Sequence, residues 1–98
     1  NIYPAEVERL LEAHPGVLQA CVVPVPDEER GQIPVAFVVP RPGANLTEDA
    51  VKRHALEGGP AYQHPRRVRF LDEMPLAGTN KIDRRALQAA AAREAAGT

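Results

Sequence analysis

Two apolar stretches rich in β-branched residues limit the folds that are open to this chain of 98 residues. The first stretch, Val17 to Val25, alternates in a way that places Leu18, Ala20 and Val22 on one face of a strand. The second, Ile33 to Pro40, is apolar at nearly every position, which indicates a strand that is covered on both faces. Because a short polar connection joins the two stretches, the pattern favours an antiparallel pair.

Three helical segments and a further strand complete the pattern. Pro4 suits the first turn of a helix, and Thr47 is a candidate N-cap for a second one. The segment from Arg66 to Leu71 alternates like a strand, and a last helix is predicted from Arg84. The order predicts an α+β fold, with a small, largely antiparallel three-stranded sheet flanked by about three helices.

Size, charge and cysteine content exclude several classes of protein. A chain of this length forms one small domain, and its formal net charge of −1 does not attract nucleic acid or an anionic membrane. No apolar run is long enough for a transmembrane segment. The single cysteine, Cys21, excludes an internal disulfide and fits a reducing compartment, so we expect a cytoplasmic protein. The histidines show no metal-ligand spacing, and we predict no metal site.

One lysine lies between a predicted turn and a predicted helix. Gly78 permits backbone angles that a Cβ would forbid, and Thr79 and Asn80 are turn formers. Asp83 is a candidate N-cap for the last helix, so Lys81 is held between two defined elements. Two interpretations are open at this point. The ammonium is aimed at a ligand, or Lys81 is a solvated surface lysine at a helix entry.

The stretch from Pro75 to Leu87 resembles the C-terminal lysine motif of the adenylate-forming superfamily, which follows a pattern close to P-x-T-x-x-G-K-I-D-R-x-x-L. That superfamily includes acyl-CoA synthetases, luciferases and the adenylation domains of peptide synthetases. A second segment, Asn1 to Glu8, is similar to the one that follows the hinge between the domains of these enzymes. Three further segments occur in the expected order, so the resemblance covers almost the whole chain: Val23 to Asp27, Gly31 to Val38, and Tyr62 to Pro65.

The resemblance implies a role for the lysine. Lys81 takes the position of the lysine that enters the active site during adenylation, where it offsets the repulsion between a carboxylate and the α-phosphate of ATP. Gly78, Thr79 and Asn80 form the loop that supports it. Asn80 stands where the family usually has glycine, and this variant favours the acyl-CoA ligases. Gln63 replaces a usual lysine, which puts a charge role at that position in doubt.

Two weaker site predictions follow from the resemblance. Asn1, Ile2 and Tyr3 resemble the segment that faces the active site during thioester formation, although Ile2 and Tyr3 could simply pack against the domain. A local basic cluster is either a solvated strand face or an anion site, for the phosphates of CoA or for nucleic acid, although no interleaved aromatic residues support nucleic-acid stacking. It consists of Arg66, Arg67 and Arg69.

Taken together, the resemblance implies that residues 1–98 are the mobile C-terminal lid domain of an ATP-dependent acyl-CoA ligase acting by domain alternation, for example in fatty acid metabolism. The N-terminal domain and the hinge are expected outside the chain. That domain, the partner of this one, would bind most of ATP with Mg²⁺, CoA and the carboxylic acid, so the isolated chain is expected to be inactive. Two alternatives remain: the lid of an adenylation domain that loads a carrier protein, and a stand-alone α+β interaction module.

Overall fold

The computed structural model describes residues 2–97, with the description of Tyr62, Ala96 and Gly97 confined to the backbone. Along the described chain, one helix is followed by two strands, a second helix by a short 3₁₀ turn and three strands, and a third helix comes last. Their bounds are α1 Pro4–Glu12, β1 Val17–Asp27, β2 Gly31–Pro40, α2 Glu48–Gly58, the 3₁₀ turn Ala61–Gln63, β3 Arg67–Phe70, β4 Leu76–Ala77, β5 Lys81–Ile82 and α3 Arg84–Gly97.

The main sheet has the order β1-β2-β3 and is mixed. Strands β1 and β2 are antiparallel, as predicted, and their register ends at the pair Asp27 and Gly31. Strands β2 and β3 are parallel, with Val35 beside Arg67 and Val38 beside Phe70. The α+β class is confirmed, but the sheet is mixed rather than largely antiparallel. The reason is that α2 carries the chain back along the sheet, so β3 starts at the same end as β2.

The sheet separates two hydrophobic cores. Successive residues of β1 enter opposite cores, since Val22 lies in one and Val23 in the other, both almost without solvent exposure. Helices α1 and α2 cover the first core through Val7 and Val51, whereas α3 covers the second through Leu87. Both faces of β2 are covered, which confirms the prediction made from its continuous apolar run.

A β-bulge changes the predicted alternation at the start of β1. The register shifts between Val17 and Gln19, so the residue between them leaves the pleat. Leu18 is consequently 44% exposed, while Val17 is buried. The prediction that Leu18 shares a face with Ala20 and Val22 is therefore wrong, because an inserted residue reverses the side that a side chain faces.

Side chains occupy hydrogen-bonding groups along the outer edge of β1. A strand at the edge of a sheet exposes N–H and C=O groups that another chain could pair with. Here, neighbouring helices α1 and α3 supply the partners. The bonds run from Ala20 N to Glu12 Oε2 at 3.1 Å, from Val22 N to Glu8 Oε2 at 2.8 Å, and from Gln88 Nε2 to Pro24 O at 2.8 Å.

The opposite edge of the sheet is treated in the same way. Val68 N, on β3, donates to Glu48 Oε2 at 3.0 Å. Lys52, one turn along α2, lies 3.3 Å from the same carboxylate. The bond from Val68, and after it the nearby Lys52, lower the pKa of Glu48 below its ordinary value of 4.5.

Candidate active-site hairpin around Lys81

Lys81 lies on a small hairpin that we call the lysine hairpin, residues 76–82. Strands β4 and β5 are antiparallel, and Ala77 is paired with Lys81 across them. The turn consists of Gly78, Thr79 and Asn80, all of which are exposed. The predicted loop is thus a short two-stranded element, which restricts the directions that the lysine side chain can take.

Two residues of this turn have left-handed backbone angles. Gly78 has a φ of +56°, and Asn80 has a φ of +63°. A Cβ added to Gly78 would meet nothing within 4 Å, so glycine is required here by the backbone angle and not by lack of space. Asparagine adopts such angles at lower cost than most other residues. The predicted tolerance of Asn80 for this conformation is confirmed.

The hairpin is closed at its base and joined directly to α3. Asp83 N donates to Pro75 O at 2.8 Å, which ties the two ends of the hairpin together. Asp83 Oδ1 also accepts from Ala86 N at 3.0 Å, so its predicted role as N-cap is confirmed. Met74 on one side and Leu87 on the other are buried in the second core. Lys81 is therefore mounted on a segment with a fixed base at both ends.

The ammonium of Lys81 is available to a ligand. The residue is exposed, and no carboxylate among residues 2–97 lies within the ion-pair distance of 4 Å. The other lysine, Lys52, is paired with Glu48 at 3.3 Å. The two lysines thus differ in the availability of their charge: within the described structure, Lys52 is neutralised by a carboxylate and Lys81 is not.

An ion pair behind the hairpin was not predicted from the sequence. Arg84 Nη1 lies 2.9 Å from Glu8 Oε2, and its Nη2 donates to Glu8 Oε1 at 2.9 Å. Arg84 Nη1 also approaches Val22 O at 3.4 Å. The hydrogen bond that Arg84 donates to Glu8 is the main reason that the pKa of Arg84 is raised. These two residues are 76 positions apart, so no local spacing signals the pair.

The segment proposed for thioester formation is described only in part. Asn1 lies outside the described residues. Ile2 is partly buried, and the Tyr3 side chain is 50% exposed. The backbone oxygen of Tyr3 accepts from Glu6 N at 3.0 Å at the start of α1. The exposed ring is thus carried by a helix terminus, and its role in the thioester step stays a prediction.

The predicted basic cluster is divided by its contacts. Arg67 Nη1 lies 3.8 Å from Glu94 Oε1, and Arg69 forms an ion pair with the same carboxylate. Arg66 is exposed, and its backbone N–H donates to Pro34 O at 2.9 Å. An anion at Arg67 or Arg69 would have to compete with Glu94, and the anion site at this cluster stays a prediction.

Within the described part of the chain, no group of three histidine, cysteine, aspartate or glutamate side chains is arranged to hold a metal ion. Burial raises the pKa of the Cys21 thiol to about 11 and keeps it protonated, as suits a small core residue. None of the described helices combines the length and the apolar character that crossing a membrane requires.

Comparison with known proteins identifies the family. Residues 6–81 match the model of the AMP-binding enzyme C-terminal domain. The 4-coumarate–CoA ligase-like protein 5 of Oryza sativa subsp. japonica is 43% identical over 87 residues, which are 89% of this chain and 16% of that protein. The chain therefore spans about a sixth of the length of this relative.

Two solved structures share the fold closely. An anthranilate CoA ligase in complex with anthranoyl-AMP is 36% identical, with a TM-score of 0.84 over 97% of this chain and 19% of that one. An amide bond synthetase from Marinactinospora thermotolerans is 31% identical, with a TM-score of 0.87 over 91% of this chain and 18% of that one. The resemblance to adenylate-forming enzymes that the motifs predict is confirmed, and the chain belongs to the family of AMP-binding enzyme C-terminal domains.

Proposed function

We propose that this chain is the C-terminal domain of an ATP-dependent acyl-CoA ligase and that Lys81 supplies positive charge to its first step. The observation that carries the proposal is the exposed, unpaired ammonium of Lys81 on a hairpin whose base is fixed. The similarity to a 4-coumarate–CoA ligase-like protein and to an anthranilate CoA ligase that holds an acyl adenylate supports the reaction class.

In the first step, a carboxylate oxygen attacks the α-phosphorus of ATP. A new bond joins this oxygen to phosphorus, the bond to the bridging oxygen breaks, and pyrophosphate leaves. Both reactants are anionic, so their approach is opposed by charge repulsion. An ammonium held near the reacting oxygens reduces this repulsion and orients them. Lysine suits the task because its charge is compact and its donors can turn from one oxygen to another.

The residues of this chain would make only some of the contacts to ATP, Mg²⁺ and the acyl group. One free ammonium and no cluster of metal ligands are present in the described residues, so Mg²⁺ would be held by the phosphates of ATP and by the N-terminal domain. That domain, joined through the hinge, would also hold most of the nucleotide and the acyl group. This chain would contribute Lys81 in the first step.

In the second step, a nucleophile attacks the carbonyl carbon of the acyl adenylate and AMP leaves. We propose the thiol of CoA as this nucleophile, with Ile2 and Tyr3 close to it after a rotation about the hinge. The similarity to an amide bond synthetase favours an amine as a second candidate for the acceptor. Supplying the adenylate with CoA, with an amine or with a carrier protein would separate these outcomes, because only one product should accumulate rapidly.

The role of Lys81 can be tested in the full-length enzyme. Lys81→Ala should slow pyrophosphate release by roughly 10²–10³-fold, which is the usual effect of removing one electrostatic donor. The same variant, given synthetic acyl adenylate and CoA, should form thioester at a near-normal rate. Lys52→Ala is the matched control, since that lysine is paired with Glu48. Equal loss in both half-reactions would contradict the proposed role.

A further inference from the structure

We propose that Arg84, held by Glu8, is a positioning residue that fixes the direction of Lys81. This inference deepens the proposed function and rests on the role of Lys81 stated there. The geometry points to it because Arg84 connects three elements at one place. It is the first residue of α3, and it bonds to Glu8 on α1 and approaches the backbone of β1 at Val22.

The distance along the chain between the ion pair and the lysine is short. Lys81 precedes Arg84 by three positions, with Ile82 and Asp83 between them. Neither intervening residue is free to move, because Ile82 packs against the second core and Asp83 closes the base of the hairpin. A displacement of Arg84 would therefore be passed on to Lys81 through a connection with few adjustable angles.

The contact between Arg84 and Glu8 constrains direction as well as distance. The two terminal nitrogens of the guanidinium reach the carboxylate, each at 2.9 Å and each at a different oxygen, which is a bidentate contact. Glu8 is itself held, since its Oε2 accepts from Val22 N at 2.8 Å. Its side chain is only 12% exposed, whereas that of Arg84 is 50% exposed. A mostly buried acceptor, held by the backbone of β1, thus orients a more exposed donor.

The stability of α3 does not explain an arginine at this position. A cation in the first turn of a helix is unfavourable, because the N-terminal end of the helix dipole is positive. The helix is already docked through Leu87 and Ala91, which are 4% and 0% exposed. Asp83 caps it as well. The ion pair is therefore best understood as controlling how the first turn of α3 is placed, together with the hairpin before it.

The chain offers a matched control in the next residue. Arg85 is also an exposed arginine of the first turn of α3, but it forms no ion pair within residues 2–97. Arg84→Lys keeps the charge and removes the bidentate geometry. Arg85→Lys makes the same chemical change without touching Glu8. A difference between these two variants reports on the contact rather than on charge.

In the full-length enzyme, Arg84→Lys should reduce the rate of pyrophosphate release by roughly 10- to 100-fold, as expected for a small misplacement of a catalytic group. Thioester formation from synthetic acyl adenylate and CoA should be unchanged. In the Lys81→Ala background, Arg84→Lys should cause no further loss, because a residue that acts only through Lys81 has nothing left to position. Glu8→Gln should reproduce the effect of Arg84→Lys, and Arg85→Lys should have none.

Three results would overturn the inference: a normal adenylation rate in both Arg84→Lys and Glu8→Gln, an additive loss in the Lys81→Ala background, or an equal loss with Arg85→Lys. If Arg84→Lys fails to fold, Glu8→Gln decides alone, because its amide oxygen can still accept from Val22 N. Failure of the proposed function would look different, since Lys81→Ala would then keep a normal adenylation rate. Slow adenylation in Lys81→Ala, together with normal rates in Arg84→Lys and Glu8→Gln, would refute the positioning role of Arg84 and leave the proposed function intact.

Discussion

Replacing Gly78 by alanine tests whether the shape of the turn controls the lysine. At a φ of +56° an alanine is strained, whereas the added Cβ meets nothing within 4 Å. The whole cost is therefore conformational, about 1–2 kcal/mol for a left-handed residue with a Cβ. Because alanine has fewer conformations than glycine in the unfolded chain, the substitution also stabilises the fold by roughly 0.4–1 kcal/mol. The free energy of unfolding should therefore fall by about 1 kcal/mol in total. If the turn instead relaxes to avoid the strain, Lys81 moves.

Gly43→Ala supplies the matched control. Gly43 has a φ of +82°, its added Cβ also meets nothing within 4 Å, and it lies in the loop between β2 and α2. Both variants should lose similar stability in thermal unfolding, but only Gly78→Ala should slow pyrophosphate release by the full-length enzyme, by roughly 10–10²-fold. Unchanged release in Gly78→Ala, or an equal loss in both variants, would refute the link between turn geometry and the lysine.

Two further predictions concern stability. The folded-state pKa of Glu48 lies below 4.5, so the contribution of its bond to Val68 is complete above that pH and is lost as the pH falls below it. Urea unfolding should show a smaller acid loss in Glu48→Gln; an equal loss would contradict this. Gly58→Ala places a Cβ 2.5 Å from Leu10 Cδ1, the end of a flexible side chain that must change its rotamer, and should cost about 0.5–1.5 kcal/mol. Adding Leu10→Ala should make the combined loss less than additive, and strict additivity would argue against the clash.

Local chemistry in the sequence predicts the ends of the elements well. Thr47 accepts from Ala50 N at 3.1 Å and Asp83 caps α3, both as expected from their residue types. The apolar runs also predict β1 and β2, because a strand that is buried on both faces is apolar at nearly every position. The direction of β3 is a different matter. Alternation identifies a strand but carries no information about which neighbour it joins or in which direction it runs.

The remaining differences arise from contacts that no short window contains. The bulge at Leu18 depends on how β1 meets β2, and strands β4 and β5 have two residues each, too few for any periodic signal. For the site, the resemblance of the motif predicts Lys81, and residue type predicts the angles of Asn80. The partnership of Arg84 with Glu8 became visible only once the fold had brought α1 and α3 together.

The side-chain bonds along the sheet edges restrict how this domain can meet other proteins. Many recognition modules accept an extended peptide as an additional strand. Here, an incoming strand would have to displace Glu8 and Glu12 from β1, or Glu48 from β3, and each of these carboxylates accepts a backbone N–H. Strand addition to the main sheet is thus disfavoured on both sides. A partner must approach through side chains on helices, loops or the lysine hairpin, and such contacts can separate without breaking a backbone ladder.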